Sequence, residues 1–379
     1  MQMTQVDSSS QGTHAGPEGL PRRAVNTVKT VLSPRFIKSH KLFIILLFLL
    51  CLYPIGPQLA GMDYLIHIAV IANLFAIIAI AWDINGGYTG QGNLAPGLFA
   101  GIAGYTSAIL TTQAGWPILP SAILGVFFSF LIALGIGFPS LRVRGPYLVI
   151  VTFSVAEVAR KLTIYYSAVT KGEEGIGGIP RIVDGAFANF YWTLFMLMVV
   201  FIVSKIIIES KWGLAFKAIA ADETRARTLG IDVTWYKLLS FSICGVVAGI
   251  GGVLYAHYQA HIDPSFFAIL MAILIISMAV TGGEKTLLGP IVGAYILQFS
   301  SEGLRFASAG APWVRLIMYG LLLSVVMLFL PGGILSLFRN DGSSGKVSAS
   351  NRVMASLRKI FLVQDVKKEV VQEEAEAPT

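Results

Sequence analysis

DYLIHIAVIANLFAIIAIAWD, residues 63–83, interrupts an apolar run only with His67, Asn73 and its terminal aspartates. As a helix rising about 1.5 Å per residue, such a stretch crosses the ~30 Å hydrocarbon core of a bilayer. Lipid offers no hydrogen bonds to the backbone, so a spanning segment is a helix or part of a closed barrel, and a run this continuous excludes barrel strands. Comparable runs lie near 42–59, 94–113, 119–138, 146–167, 189–208, 238–258, 266–282, 287–304 and 313–331. They predict an all-α, polytopic membrane protein of about ten transmembrane helices. A basic N-terminal tail (1–40) and a C-terminal tail (336–379) flank a membrane domain over 41–335.

Composition agrees. The 379 residues are 55% hydrophobic and 13% charged, and the mean hydropathy is +0.72, beyond ordinary soluble usage. The formal charge of +7 does not indicate nucleic acid, because the basic residues sit beside the spans. Arg22, Arg23, Lys29, Arg35, Lys38 and Lys41 in the first tail, Arg142 and Arg144, the polar stretch 211–237, and Arg339 and Lys346 fall on one side of an alternating topology. The loops at 56–61, 114–117 and 259–264 contain neither Lys nor Arg. Lys171, Arg181, Arg305 and Arg315 are the exceptions. Both termini are therefore expected in the cytoplasm. About forty polar residues precede the first span, so no cleavable signal is expected.

Two segments break the pattern. INGGYTGQGNLAPGLFAGIAG, 84–104, is too rich in glycine for an uninterrupted helix. It is a broken or re-entrant segment lining protein or water, or a surface for close helix packing. Gly245, Gly249 and Gly252 have the small-xxx-small spacing of a packing face. The second segment, KWGLAFKAIAADETRARTLGIDVTWYK at 211–237, places Lys217, Arg225 and Arg227 against Asp222, Glu223 and Asp232 in a helical pattern that stops at Gly230. Leu214, Ala218, Ile219, Ala226 and Leu229 recur at spacings a free linker does not need, so this stretch is expected to press into another protein. The loop 169–181, with Glu173, Glu174 and several glycines, is expected to be a turn-rich cap on the opposite side. Residues 349–371 fit either an amphipathic helix on anionic lipid or a disordered tail.

The chain lacks GxxxxGK[ST], HExxH, a nucleophile elbow and any Cys/His cluster at metal spacing. No catalytic or metal residue is expected. Cys51 and Cys244 both lie in apolar runs and are read as packing residues. His67, His257 and His261 are read as interfacial. Membrane-depth charge is costly, about 2.5–3.5 kcal/mol per group on insertion scales. Glu157 can offset that by pairing with Lys161 one turn on, or it can contribute to a polar pathway. Asp83 is expected to cap the broken segment or touch that pathway, for which Tyr88, Gln91 and Asn93 are the other candidates.

Several motifs together resemble the inner-membrane permease subunits of branched-chain amino-acid ABC importers. They are GYTGQGNLAPGLFAGIAGYT (87–106), RGPYLVIVTFSVAEVAR (144–160), GIGGIP (175–180), WGLAFKAIAADETRARTLGIDVTWYKLLSF (212–241), AGIGGVLYAHY (248–258) and TGGEKTLLGPIVGA (281–294). The resemblance implies a bacterial-type inner-membrane permease half with no cofactor of its own. Its partners would be a second permease subunit, two ABC ATPase subunits that bind ATP, and an extracytoplasmic solute-binding protein. It also implies that Ala221–Gly230 is a coupling helix. Leu214, Ala218, Ile219 and Leu229 would fill an ATPase pocket, with Asp222, Glu223, Arg225 and Arg227 on its rim. The chain departs from the family pattern at Lys171, Glu173 and Glu174, at Gly92–Pro96, and at Glu284–Lys285. These departures leave open urea, short amides or another small organic solute. A gradient-driven secondary carrier, with Glu157 as its titrating group, and a non-transporting scaffold are the readings from other classes.

Overall fold

The computed structural model describes residues 62–140, 146–307 and 333–337, with isolated positions between 50 and 57 and between 314 and 324. The expected spans 42–59 and 313–331, Arg142 and Arg144, and both tails lie largely or wholly outside the described residues. Chain contacts divide at Tyr53, and everything below concerns the unit from Pro54 onward.

The chain forms α1 (Asp63–Trp82), which runs into a π-helical turn at Asp83–Tyr88. After a non-helical stretch come α2 (Pro96–Thr112) and α3 (Ile118–Ser140). Next are α4 (Pro146–Tyr165), a single turn α5 (Ser167–Thr170) and α6 (Ala186–Glu209). The polar stretch folds as α7 (Lys211–Ala221) and α8 (Glu223–Thr228) before the long α9 (Val233–Gln259). α10 (Ile269–Gly282) and α11 (Gly289–Ala307) follow. Among the described residues, four helical stretches are long and apolar enough to cross a membrane: Asp63–Tyr88, Ile118–Pro139, Ala186–Glu209 and Val233–Gln259. α10 is apolar but shorter. The regular structure of the described residues is thus helical, apart from one antiparallel two-residue ladder pairing β1 (Ile176–Gly177) with β2 (His261–Ile262).

α1 is the core. From Ile68 to Trp82 only Ile71 escapes full burial, because α6, α9, α10 and α11 surround it. α9 also packs on α2 and α3. Glycine permits this: a Cβ on Gly252 would overlap the Ala100 carbonyl, one on Gly249 would sit 3.0 Å from Ser129 Cβ, and one on Gly245 would crowd Ala133. The packing face expected at these three glycines is present, and backbones approach as small-residue seams allow. α3 instead leaves Leu119, Ile123, Phe127, Phe128, Leu131 and Phe138 exposed, as a lipid-facing helix requires.

Contacts sort the loops into two ends. At one, β1 meets β2, and Gln113 Nε2 donates to the Val169 carbonyl at 2.5 Å. The loops at 114–117, 169–181 and 259–264, expected on one side, therefore share an end. At the other, Lys285 N donates to Asp83 Oδ1 at 2.8 Å, and Gly90 lies against Ala220.

Candidate functional site

The break in the first described span is where the glycines of 84–104 placed it. The helix loosens to a π turn at Asp83, loses regular hydrogen bonding after Tyr88, and restarts at Pro96, whose missing N–H suits a first helical turn. Backbone freed in this way needs other partners. The Gln91 N–H donates to the Asn85 carbonyl at 3.1 Å. The Leu94 N–H donates to Thr152 Oγ1 on α4 at 3.0 Å, and Trp82 Nε1 donates to the Asn93 carbonyl at 3.0 Å.

Side chains complete a buried polar cluster. Asn93 Nδ2 donates to Asn85 Oδ1 at 2.7 Å, and Thr89 Oγ1 and Ser240 Oγ share a hydrogen bond at 2.8 Å. Asn85 and Gln91 also meet, with 3.2 Å between Nδ2 and Oε1. Ser240 and Thr152 each lie about two turns from the start of their helices, or roughly 10 Å along the axis, so the cluster sits well inside the bundle. Of the expected route residues, Gln91 and Asn93 are brought together and buried, and Tyr88 is buried too. Glu157 is not part of this cluster. On α4 it is bidentate with Arg160 (2.9 and 2.7 Å) and only 3.9 Å from Lys161. The pairing expected with Lys161 is thus mainly with Arg160, whose fork matches a carboxylate three residues back.

The polar stretch is two helices rather than one. Asp222 has extended backbone and caps α8, accepting from the N–H groups of Thr224 and Arg225 at 2.9 and 3.0 Å. α8 ends as expected at Gly230, with φ +80. The Ile231 N–H reaches the Ala226 carbonyl and the Gly230 N–H the Arg227 carbonyl, a Schellman closure that spares the cap any Cβ strain. Ile219, Ala226 and Val233 form a small core of their own, with Ala218, Ile231 and Tyr236 against it. Ile219 and Ala226 therefore face this chain, and Ala218 is half covered. Leu214 (66% exposed) and Leu229 (77%) remain outward.

Charges brace α8 and tie it to α9. Glu223 takes both Arg227 (2.9 Å) and Lys237 of α9 (2.6 Å), while Arg225 pairs with Asp222 at 3.0 Å. Sequence reasoning missed Trp212 and Trp235, which stand exposed on this same surface. Their signal was an apolar side chain beside charged neighbours at a span end, the usual place for interfacial tryptophan.

The histidines differ from the interfacial reading at one position. His257 is fully buried. Its Nδ1 lies 2.7 Å from the Pro180 carbonyl and its Nε2 2.8 Å from Ser107 Oγ, which fastens the 175–180 loop to α2. His67 is half buried against Tyr258 at 2.7 Å, and His261 is exposed, 3.8 Å from Asp263. Among the described residues no three His, Cys, Asp or Glu side chains group as a metal site.

A family model for the permease component of branched-chain amino acid transport systems matches residues 64–327. Over 355 aligned residues the chain is 28% identical to the high-affinity branched-chain amino acid transport system permease protein LivM of Salmonella typhimurium, covering 82% of this chain and 80% of that one. The Escherichia coli LivM permease matches to the same extent. The E. coli permease LivH is 26% identical over 291 residues, covering 70% of this chain and 92% of its own. No solved structure matches the chain. The matched residues run from the start of α1 through α11, taking in the broken span and the α7–α8 pair, and the chain belongs to the family of non-catalytic permease components of branched-chain amino acid ABC transport systems.

Proposed function

We propose that this chain is one membrane half of an importer that carries branched-chain or other apolar amino acids across a bacterial-type inner membrane. A second permease subunit completes the pathway. Two ABC ATPase subunits drive it, and a solute-binding protein delivers the solute from outside. The supporting observation is the α7–α8 pair: a compact polar element with its own small core that still leaves Leu214 and Leu229 uncovered. An apolar knob ringed by charges suits a cleft on another protein, where the core of the contact is desolvated and the rim sets register. Leu214 and Leu229 supply that contact. Ala218, Ile219 and Ala226 hold the element's own fold, and Asp222, Glu223 and Gly230 fix its caps and its tether to α9.

The basic α7–α8 end faces the cytoplasm on this reading, with both termini on that side, following the positive-inside rule. The polar cluster of Gln91 and Asn93 beside Tyr88 lies along the solute's route near the inner mouth. Glu157 stands apart on α4, held by Arg160, and serves as a paired charge at the edge of that route. The test is leucine uptake into vesicles by the complex carrying Leu229→Glu. Membrane insertion should be normal and uptake should fall at least about tenfold, within the range of ordinary coupling energies. Undiminished uptake would remove the role of α7–α8 as the lever through which the ATPases act.

A further inference from the structure

The broken segment and the lever touch. Gly90 has φ +73, a conformation open to glycine, and a Cβ built on it would lie 3.3 Å from Ala220 Cα and 3.4 Å from Ala220 Cβ. Two residues earlier, the ring of Tyr88 lies under Lys217, whose Nζ is 5.7 Å from the ring centroid, a cation–π distance. Ala220 and Lys217 belong to the last two turns of α7, directly before the Asp222 cap. The broken stretch 89–95 thus rests on the lever without an intervening element.

A second, independent observation concerns what that stretch leaves unspent. Asp83 Oδ2 and Gln91 Nε2 are buried and find no hydrogen-bond partner among the described residues. Buried polar atoms are almost always paired; Asp83 opens the π turn, and Gln91 lies inside the 89–95 stretch that has no helical ladder to break. Asp83 Oδ1 meanwhile holds a single backbone bond to Lys285. A segment with irregular backbone, a few isolated bonds to Thr152 of α4 and Ser240 of α9, and idle polar atoms is suited to exchanging partners between two arrangements.

We infer that residues 88–95 are the part of the membrane bundle that the lever drives, with Tyr88, Gly90, Lys217 and Ala220 as the positioning residues that make α7 and the broken segment move as one body. This rests on the coupling role proposed above and adds the transmission step. When α7 shifts, Gly90 and Tyr88 shift with it, and the Gln91–Asn93 cluster is re-aimed. The exchange then falls at the bonds to Lys285, Thr152 and Ser240, not at the lever contact.

The experiment uses the whole complex, purified with its ATPase subunits and reconstituted with its binding protein, and reads leucine transported per ATP hydrolysed. Lys217→Met should leave assembly and ATP hydrolysis intact and lower that ratio by about tenfold. An unchanged ratio overturns the inference. Gly90→Cys with Ala220→Cys places two Cβ atoms near the roughly 3.5–4.5 Å a disulfide needs. Oxidation of that pair should leave uptake unchanged, because bodies that travel together can be tied. Loss of uptake that reductant restores shows that the contact opens during the cycle, and overturns it. Should the Gly90 substitution fail to insert, Tyr88→Leu read by the same ratio decides the matter alongside Lys217→Met. A wild-type complex that ignores leucine, or a Leu229→Glu complex that still imports it, counts against the proposed function and not against the transmission step.

Discussion

Tyr295 donates its hydroxyl to Asn73 Oδ1 at 2.6 Å, joining residues 222 positions apart in the chain. Asn73 Nδ2 in turn donates to Thr193 Oγ1 at 3.3 Å. One amide in the middle of α1 therefore ties α6 and α11 to the core helix. Between helices in lipid the hydrophobic effect does not discriminate, so packing and hydrogen bonds of this sort supply the specificity.

That relationship predicts a measurable coupling. Asn73→Ala and Tyr295→Phe, singly and together, should give a double-mutant interaction energy of about 0.6 kcal/mol, and no more than about 1.7 kcal/mol. Reversible unfolding in mixed micelles measures it. Strict additivity would mean that the amide finds equal partners elsewhere.

The seam between α9 and α2 predicts a contrast between glycines. Gly252→Val drives a branched side chain into the Ala100 carbonyl, whereas an added Cβ at Gly135 meets nothing within 4 Å. The first should cost about 1–3 kcal/mol as overpacking. Gly135→Ala should be neutral or stabilising by up to about 1 kcal/mol, from helix propensity. Thermal unfolding of the two purified variants separates them.

The lever predicts a division of labour between two leucine-sized side chains. Ile219 is 5% exposed inside its small core, so Ile219→Ala should cost about 2–5 kcal/mol. It should loosen α7–α8 before any partner is present, seen as faster amide exchange over 218–233. Leu214→Ala should shift stability by less than about 0.5 kcal/mol and instead weaken retention of the ATPase subunits during purification. Equal effects of both substitutions on exchange would contradict this division.

How much of this could be read in the sequence depends on what carried each signal. The core helix was legible because burial on all sides leaves an apolar run with no face, and 63–83 is such a run. The break was legible because glycine and Pro96 cannot continue a helix well, and the structure starts α2 at that proline. The Gly245, Gly249 and Gly252 seam followed from spacing alone. The family resemblance started its coupling helix at Ala221, next to the cap the structure shows. The residue pattern alone did not show the split at Asp222, although an aspartate followed by a glutamate is an N-terminal signal, because the apolar spacing on either side continues across it. The inward turn of Ile219 and Ala226 was invisible for the same reason: periodicity shows that a face is apolar, not which protein covers it. The β1–β2 ladder is two residues long, below what alternation can reveal, and the burial of His257 follows from that ladder bringing the 175–180 loop across the end of α9.

His257 gives the last prediction. Its ring bridges the Pro180 carbonyl and the Ser107 hydroxyl. The Pro180 oxygen can only accept, so Nδ1 carries the proton and Nε2 receives the Ser107 hydrogen, as a neutral imidazole does. His257→Leu keeps the bulk and removes both bonds, each worth about 0.5–1.5 kcal/mol. Opening of the 171–181 strap should then become about tenfold to hundredfold more frequent, since 1.4 kcal/mol is a factor of ten. Lys171 and Arg181 bracket the strap, so trypsin added to the face that exposes it reads this opening directly as a faster cut. His261→Gln is the control, because that side chain is exposed and 3.8 Å from Asp263, and its cleavage rate should match the unaltered protein. If His257→Leu is cut no faster than His261→Gln, the ladder and not the histidine holds the strap closed.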